Sequence, residues 1–325
     1  MNDSLRCSKC LLPDTHETIT FDEAGICSVC RNSEFKETID WFSRKEQLIS
    51  IVNQNRGKNA YDCIVPFSGG KDSVWTLYYI VKELKLKPLV VSFDHGFYRP
   101  NLIRNREIVL KSLGVDSLIF TPNWKLVQKL MLQSFLEKGD FCWHCHTGIF
   151  SYPMWVAIEK KIPLIFWGEP SSEYTSYYDY SEIENVDEDR FNRIINLGIS
   201  AEDMLKRLGE EFNIHDVLPF TYPPSRELKK LGIKSLPLGS FIPWDVREQT
   251  KVIKEELKWK GDFVEGIPTT YDYEKIECYM QGVRDYIKFI KRGYARTTHL
   301  TSIDIRNDRI RREDALDLVK KYEGK

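Results

Sequence analysis

Short apolar segments alternate with amphipathic segments along the first half of the chain. Four segments have the length and apolar content of buried strands: residues 62–67, 88–93, 116–120 and 162–167. The segments between and after them repeat apolar residues at helical spacing, and we predict helices over residues 74–84, 102–113, 124–138 and about 149–160. A fifth strand is predicted over residues 236–242, followed by a helix capped by Asp245. Strands that alternate with helices predict an α/β fold, in which helices cover both faces of a parallel sheet.

A glycine-rich turn joins the first predicted strand to the first predicted helix and reads Ser68-Gly69-Gly70-Lys71-Asp72-Ser73. This arrangement presents backbone N–H groups and a helix N-terminus to an anion, and the paired glycines let the backbone approach a phosphate closely. The common P-loop has Ser or Thr directly after its lysine, whereas Asp72 follows Lys71 here. The turn is instead similar to the PP-loop of the ATP pyrophosphatase superfamily. Its members cleave ATP between the α- and β-phosphates and adenylate a substrate oxygen.

Residues at the carboxyl ends of two other predicted strands are candidates for the same site. Ligands of parallel α/β sheets lie beyond these ends, so we expect residues 94–96, from Asp94 to Gly96, together with Gly168 and Glu169, to surround one crevice with the glycine-rich turn. The superfamily resemblance implies that the end of the second strand, at Phe93 and Asp94, flanks the adenosine. Asp94 and Glu169 are also candidate Mg²⁺ ligands, although each equally fits an ordinary loop carboxylate.

Four cysteines near the N-terminus form two Cys-x2-Cys pairs, Cys7 with Cys10 and Cys27 with Cys30, separated by 16 residues. Two such pairs at this separation predict a tetrahedral site in which four thiolates hold a structural zinc ion. Because four thiolates complete the shell, no position is left open for a substrate. His16 lies between the pairs, but the shell does not require it.

The composition excludes several classes of protein. The 325 residues carry a formal net charge of −1, and 42% are hydrophobic and 29% charged, which argues against a disordered or coiled-coil chain. A protein that coats nucleic acid would be more basic. No apolar run is long enough for a membrane span and the N-terminus has no apolar signal segment, so we predict a cytoplasmic protein. Cysteines in that compartment bind metals or catalyse reactions more often than they form disulfides.

The length predicts about two domains with a small appendage. We predict a zinc-binding segment over 1–45, an ATP pyrophosphatase domain over 58–258 with an insertion at about 171–234, and a mainly helical region over 259–325. The insertion carries tyrosines that fit either stacking on a sugar or base, or packing: Tyr174, Tyr177, Tyr178 and Tyr180. The C-terminal region concentrates basic residues, which fit a solvated helix face, a nucleotide-sugar diphosphate or a partner: Arg284, Lys288, Lys291, Arg292, Arg296, Arg306, Arg309, Arg311 and Arg312.

A second group of cysteines and histidines follows the third predicted helix, at Cys142-x2-Cys145 with His144 and His146 interleaved. One such pair is a weak motif by itself. Three interpretations remain open. The group is a metal or iron–sulfur site, for which Cys278 is a candidate third thiolate; or a histidine acts as donor or base beside the reacting group; or the residues pack locally.

The chain resembles the N-acetyl sugar amidotransferases, PP-loop enzymes of bacterial surface-polysaccharide biosynthesis. The resemblance rests on segments that span nearly the whole chain: residues 6–15 and 19–30 with the first four cysteines, 61–73 with the glycine-rich turn, 139–146 and 148–151 with the second cysteine pair, 165–169, 241–245 and 299–312. It implies ATP-dependent conversion of a sugar acetamido group to an acetamidino group, as in the synthesis of lipopolysaccharide O-antigen. Adenylation turns the amide oxygen into a leaving group, AMP, and ammonia attacks the carbon.

The resemblance also implies partners and cofactors. Ammonia comes from a separate glutaminase subunit, often with a cyclase-like partner, and the acceptor is an N-acetylated nucleotide sugar. We predict catalytic roles for Lys71, Asp72 and His144, with ATP, Mg²⁺ and Zn²⁺ bound by the residues named above. The alternative function is tRNA thiolation by a PP-loop enzyme, which shares the ATP loop and would explain Cys142 and Cys145. The near-neutral charge stands against this alternative.

Overall fold

The computed structural model describes residues 5–16, 18–173 and 178–325. Across these ranges, one sheet of five strands forms from β1 (Cys63–Pro66), β2 (Pro88–Phe93), β3 (Asp116–Phe120), β4 (Leu164–Trp167) and β5 (Lys234–Pro237). The strand order is β3-β2-β1-β4-β5, and all neighbouring strands are parallel. The predicted α/β fold with a parallel sheet is therefore confirmed.

The described helices follow the strands in the predicted alternation and continue to the C-terminus. They are α1 (Ser28–Lys36), α2 (Trp41–Asn55), α3 (Lys71–Tyr78), α4 (Pro100–Leu113), α5 (Trp124–Lys138), α6 (Trp143–Lys160), α7 (Glu188–Arg190), α8 (Ala201–Leu208), α9 (Ile214–Val217), α10 (Ser225–Lys230), α11 (Val246–Leu257), α12 (Gln281–Arg292), α13 (Arg296–Arg306) and α14 (Arg312–Tyr322). Among them, none combines the length and the hydropathy that a bilayer crossing requires.

Successive side chains along the central strands point to opposite faces of the sheet and contribute to two hydrophobic layers. In β1, Val65 packs into the layer that α3, α4 and α11 complete, while its neighbour Ile64 packs into the layer that α6 completes. In β2, Val90 and Val91 divide between the same two layers. The central strands are therefore buried on both faces, as a parallel sheet requires, and β3 forms an exposed edge.

Several element boundaries differ from the sequence prediction, and two of them change the local structure near the second cysteine pair and β5. Helix α6 begins at Trp143 rather than near residue 149, so the second cysteine pair lies at its first turn. Its start is buried, because the Trp143 indole N–H donates to the carbonyls of Asn196 and Ile199, each at 3.0 Å. Strand β5 ends at Pro237 rather than at residue 242, because proline has no N–H group to extend the ladder.

The N-terminal segment packs against the C-terminal helices. Leu11 and Leu12 share a hydrophobic cluster with Ile305 of α13 and Val319 of α14. The Arg312 guanidinium donates to the carbonyl of Cys10 at 3.1 Å, which adds a polar tie. Contacts between the two ends of the chain thus hold the four-cysteine segment in place, while the three predicted domain boundaries remain predictions.

The insertion packs mainly on α5 and α6. Phe220 lies beside Trp143 in a buried cluster that also contains Met204 of α8. Of the four tyrosines, Tyr174 and Tyr177 lie outside the described residues. Tyr180 is buried, its hydroxyl donates to Glu173 and its ring meets the edge of Trp41, so it packs rather than lines an open surface. The Arg190 guanidinium lies over the Tyr178 ring, with its Cζ 5.7 Å from the centroid of the ring.

Candidate functional site

The candidate site lies where the direction of strand order reverses, between β1 and β4. Ligands of open α/β sheets bind at such a reversal because the loops that follow the two strands diverge there. The turn after β1 carries residues 68–73, and Gly168 and Glu169 follow β4. A Cβ atom on Gly168 would lie 3.3 Å from Cβ of Asp72, so the two loops touch. The structure therefore brings these predicted residues together.

Serine hydroxyls and distant side chains hold the loop after β1. The Ser73 hydroxyl accepts the Gly69 N–H and donates to the Gly70 carbonyl, both at 3.0 Å. The Ser68 hydroxyl accepts the Gly70 N–H at 3.2 Å. Gly69 has φ of +92°, a backbone conformation that residues other than glycine rarely adopt. The indole N–H of Trp259 donates to the Gly69 carbonyl at 3.0 Å and anchors the loop from outside.

Lys71 is the central charge of the site. It begins α3, directly after the loop, and its side chain is 4% exposed. Its Nζ lies 2.8 Å from Oδ2 of Asp72 and 2.9 Å from Oε2 of Glu274. Burial opposes the charged form, but the Asp72, Glu274 and Glu169 carboxylates outweigh it and raise the pKa of Lys71 well above its ordinary value. A fixed cation thus lies at the N-terminus of a helix.

Two glutamates that the sequence analysis missed lie over the loop. Glu274 is buried between Lys71 and Arg296, whose guanidinium approaches its Oε1 at 3.4 Å. Burial alone would raise the pKa of Glu274, but these cations and Lys275 hold it at about 2. The Glu277 carboxylate occupies the space that a Cβ on Gly70 would need. Both residues belong to the irregular segment before α12, where no periodic pattern marks them.

The remaining predicted nucleotide residues have structural partners of their own. Asp94 accepts the Gly96 N–H at 2.8 Å through Oδ1, and its Oδ2 lies 3.4 Å from the Thr121 hydroxyl. The Phe93 ring is buried against Gly148 and meets the edge of Phe220. Contacts of Phe93 and Asp94 with a nucleotide therefore remain predictions. Asp72 differs from them, because its Oδ1 is buried without a hydrogen-bond partner among the described residues.

The second cysteine group lies at the start of α6, beside the end of β2. Nε2 of His144 is 3.5 Å from the carbonyl of His95, and Nδ1 of His144 is buried without a described hydrogen-bond partner. Burial lowers the pKa of both histidines to about 4, so both are neutral at physiological pH. His146 is also neutral, because burial lowers its pKa to about 3. The sequence places His95 at this crevice, within residues 94–96, but indicates no role for it.

Cys278 approaches this group from the C-terminal segment. Burial raises the pKa of Cys142 to about 12, with Arg284 opposing and the charge of Cys278 adding to the effect. Burial also raises the pKa of Cys145, and the charges of Cys142 and Cys278 add to this effect. The charges of the three thiols therefore act on one another. Within the described ranges, however, they do not gather within 4.8 Å as the N-terminal cysteines do.

The N-terminal cysteines form a compact, buried ligand set. The Sγ atoms of Cys7, Cys10, Cys27 and Cys30 all lie within 4.8 Å of one another. The Cys7–Cys30 and Cys10–Cys27 separations are 3.9 and 3.7 Å. A tetrahedron with zinc–sulfur bonds of about 2.3 Å has edges of about 3.8 Å. Backbone N–H groups also point at the sulfurs, as from Cys27 to Cys7 at 3.2 Å. This cluster can therefore hold a metal ion.

Comparison with known families finds a match in the C-terminal region. Residues 265–325 match the family described as LPS biosynthesis protein WbpG-like, C-terminal domain. This segment contains Glu274, Glu277, Cys278 and α12 to α14. The match confirms the resemblance to enzymes of surface-polysaccharide synthesis that the sequence motifs indicate.

Two curated proteins and one solved structure are also similar. An uncharacterized protein of Methanocaldococcus jannaschii is 30% identical over 122 residues, which is 37% of this chain and 44% of that protein. The glutamine-hydrolysing GMP synthase of Pyrobaculum aerophilum is 21% identical over 242 residues, which is 69% of this chain and 46% of that protein. The chain thus spans less than half the length of these relatives. The U34-tRNA thiolase NcsA from Methanococcus maripaludis, solved with its 4Fe–4S cluster, aligns over 98% of this chain and 86% of that chain, at 15% identity and a TM-score of 0.39.

Proposed function

We propose that this chain is an ATP-dependent, AMP-forming amidotransferase of lipopolysaccharide biosynthesis that converts a sugar acetamido group to an acetamidino group. One observation carries the proposal: the ion pair between Lys71 and Glu274, at 2.9 Å. Lys71 belongs to the glycine-rich loop that resembles a PP-loop, and Glu274 belongs to the segment that matches the WbpG-like domain. The two parts of the chain thus meet in one buried site.

The loop stabilises the departing pyrophosphate. Negative charge develops on the leaving phosphates, and the Lys71 ammonium and the N–H groups at the start of α3 are preorganised donors for it. Because Glu277 lies over Gly70, its carboxylate would repel a phosphate at that position. ATP binding therefore displaces Glu277 or brings a cation between the two charges.

The carboxylates around the loop fit Mg²⁺. This ion is usually held by one or two carboxylates together with substrate phosphates and water. The buried Oδ1 of Asp72, which has no hydrogen-bond partner among the described residues, would supply one such oxygen. Glu169, whose charge acts on the same Lys71, is the candidate for the second carboxylate. When bound, Mg²⁺ would neutralise charge on the phosphates. Asp94 is the less suited candidate, because its oxygens already hold the turn after β2.

The amide chemistry requires a neutral base beside the reacting carbon. The amide oxygen attacks the α-phosphorus of ATP, and pyrophosphate leaves. Ammonia then adds to the amide carbon, loses a proton, and AMP departs with the original oxygen to leave a cationic amidine. His144 is a candidate acceptor for that proton, since burial keeps it neutral at physiological pH. Ammonia would come from a separate glutaminase, with a cyclase-like partner as a further candidate subunit.

The four N-terminal thiolates would hold a structural zinc ion. Their separations match a tetrahedral shell, and their burial leaves no path for a substrate. The ion would link the N-terminal turns to each other and, through the shared hydrophobic cluster, to α13 and α14. A cytoplasmic location agrees with cysteines held as reduced metal ligands.

Product analysis tests the proposed function. The purified chain is incubated with ATP, Mg²⁺, ammonium and a panel of N-acetylated nucleotide sugars. We expect AMP and pyrophosphate by chromatography, and a product whose mass is lower because NH replaces O. Release of ADP and phosphate, or AMP formation without any change in the sugar, would contradict the proposal.

A second candidate function is tRNA thiolation, and the cysteine group favours it. A single metal ion bound by all three thiolates would need shorter sulfur–sulfur distances than those between Cys142, Cys145 and Cys278. An iron–sulfur cluster, in which each thiolate binds a different iron, needs longer distances. Anaerobic reconstitution with iron and sulfide distinguishes the candidates. A stable iron–sulfur absorption band that is lost in Cys278→Ser, together with sulfur transfer to tRNA, would support thiolation over amidine formation.

A further inference from the structure

A cavity of about 630 Å³ lies between α12, the residues that precede α6 and the insertion. Asp140 and Phe141 line one wall, and Arg193 and Ile195 of the insertion line another. None of residues 68–73 lines the cavity. It is therefore a separate space from the loop.

The lining is strongly basic, although the chain has a net charge of −1. Among the described residues, seven Lys or Arg side chains line the cavity against two Asp. Four of the cations lie on α12, at positions 284, 288, 291 and 292, which is the spacing of one helix face. The other face of α12 is apolar and exposed at Val283, Tyr286 and Ile290. The helix therefore directs its charge into the cavity.

Ion pairs hold two of the guanidiniums in place. Arg284 approaches Oδ2 of Asp140 at 3.2 Å. Arg296 approaches Asp285 and Glu274, each at 3.4 Å. These arginines are anchored by protein carboxylates, so their remaining donors have a defined direction toward a ligand.

Lys288 is the exception, since its charge is not balanced. Among the described residues, no carboxylate lies within 4.0 Å of its Nζ, which instead lies 4.4 Å from the centre of the Tyr294 ring. The carboxylates that face it are engaged elsewhere: Asp285 by Arg296, and Glu323 by the N–H groups of Ala295 and Thr298. Burial and the neighbouring Arg296 lower the pKa of Lys288 to about 7. An anion in the cavity would relieve this repulsion.

One chain of ion pairs connects the cavity to the loop. Arg296 lines the cavity and pairs with Glu274, which pairs with Lys71. His146 of the second cysteine group also lines the cavity, two residues from His144. Two side chains, Arg296 and Glu274, therefore connect a ligand held in the cavity to Lys71 of the loop.

We propose that this cavity binds the diphosphate of a nucleoside-diphosphate N-acetyl sugar, with Lys288 as its main uncommitted contact; this rests on the function proposed above. The volume lies within the range of about 300–1,000 Å³ that small-molecule sites occupy. Phe141, Phe150 and Ile194 add apolar surface for the sugar or base. A half-open cavity of this size fits a small anion better than an RNA strand, which requires a long groove.

Calorimetric titration of the full chain tests the site. The ligands are UDP- and GDP-linked N-acetyl sugars, added after a non-hydrolysable ATP analogue has saturated the loop. We expect Lys288→Met to weaken binding by about 10-fold to 100-fold, because a charge-assisted contact to phosphate is lost. Lys288→Arg keeps the charge and should bind within a few-fold of the native chain. Lys230→Met, on the exposed face of α10, is the matched control and should change nothing.

The outcomes separate this inference from the proposed function. Unchanged binding in Lys288→Met, or equal losses in Lys288→Met and Lys230→Met, overturns the cavity as the diphosphate site. Amidine formation with an unchanged KM for the sugar nucleotide in Lys288→Met overturns the site while the proposed function stands. Lys288-dependent binding without amidine formation supports the site and counts against the function. Lys288-dependent binding of tRNA in place of sugar nucleotides overturns the inference.

Discussion

Replacing Glu274 with glutamine removes the buried carboxylate between Lys71 and Arg296 while keeping its shape. Glu274 is 1% exposed, so both neighbouring cations lose a partner that water cannot replace. Breaking a buried pair by removing one partner costs about 3–5 kcal/mol. The pKa gives a similar figure: its drop from 4.5 to about 2 corresponds to about 3 kcal/mol of stability. We therefore expect Glu274→Gln to lower the free energy of unfolding by about 3 kcal/mol at pH 7.

The pH dependence gives the same prediction an independent test. The folded pKa of Glu274 is lower than its unfolded value, so its contribution is complete above the unfolded pKa and is lost as the pH falls toward about 2. The difference in stability between the native chain and Glu274→Gln should therefore shrink between about pH 5 and pH 2. Effects of acid on other groups, including the cysteine ligands, are common to both proteins and cancel in the difference.

Urea unfolding followed by tryptophan fluorescence measures this difference at a series of pH values. Glu255→Gln is the control, because Glu255 lies exposed on α11. A loss below about 1 kcal/mol at pH 7, the value typical of an exposed pair, would refute the argument that the site is a buried charge network. A difference that stays constant on acidification would refute the assignment to the Glu274 carboxylate.

Three further predictions concern the loop, the metal and the nitrogen source. Lys71→Ala should reduce AMP formation on the order of 100-fold, measured alongside circular dichroism, and an unchanged rate would remove Lys71 from the mechanism. Cys27→Ser should lose the single zinc ion found by elemental analysis and expose the segment near Cys7 to limited proteolysis; a zinc-free native chain would contradict this. The purified chain should use ammonium but not glutamine alone, and its activity with ammonium should increase with pH because deprotonation releases ammonia. Amidine formation from glutamine without a partner would contradict this and would make Cys142 and Cys145 the candidate nucleophiles of a glutaminase activity.

Much of the fold could be predicted from local patterns. Central strands of α/β sheets are apolar on both faces, so Pro88–Phe93 is visible as a short apolar run between helices and lies where predicted. The exposed edge strand Asp116–Phe120 also lies where predicted. The loop at residues 68–73 and the two N-terminal cysteine pairs depend on residues that are close in sequence and have a fixed spacing. Their chemistry is therefore written in a few adjacent positions, and the structure brings each set together as expected.

Only the tertiary structure decided which distant residues complete these sites. Glu274 and Glu277 reach the loop across about 200 positions of sequence, from a segment with no helical or strand period. Lys288 belongs to a group of basic residues that fits a solvated face equally well, and the cavity in front of it forms only when α12 meets the insertion. Burial and long-range pairing decide such roles. The sequence cannot show them, because a charged residue is the same letter whether its side chain is surrounded by water or by an opposite charge.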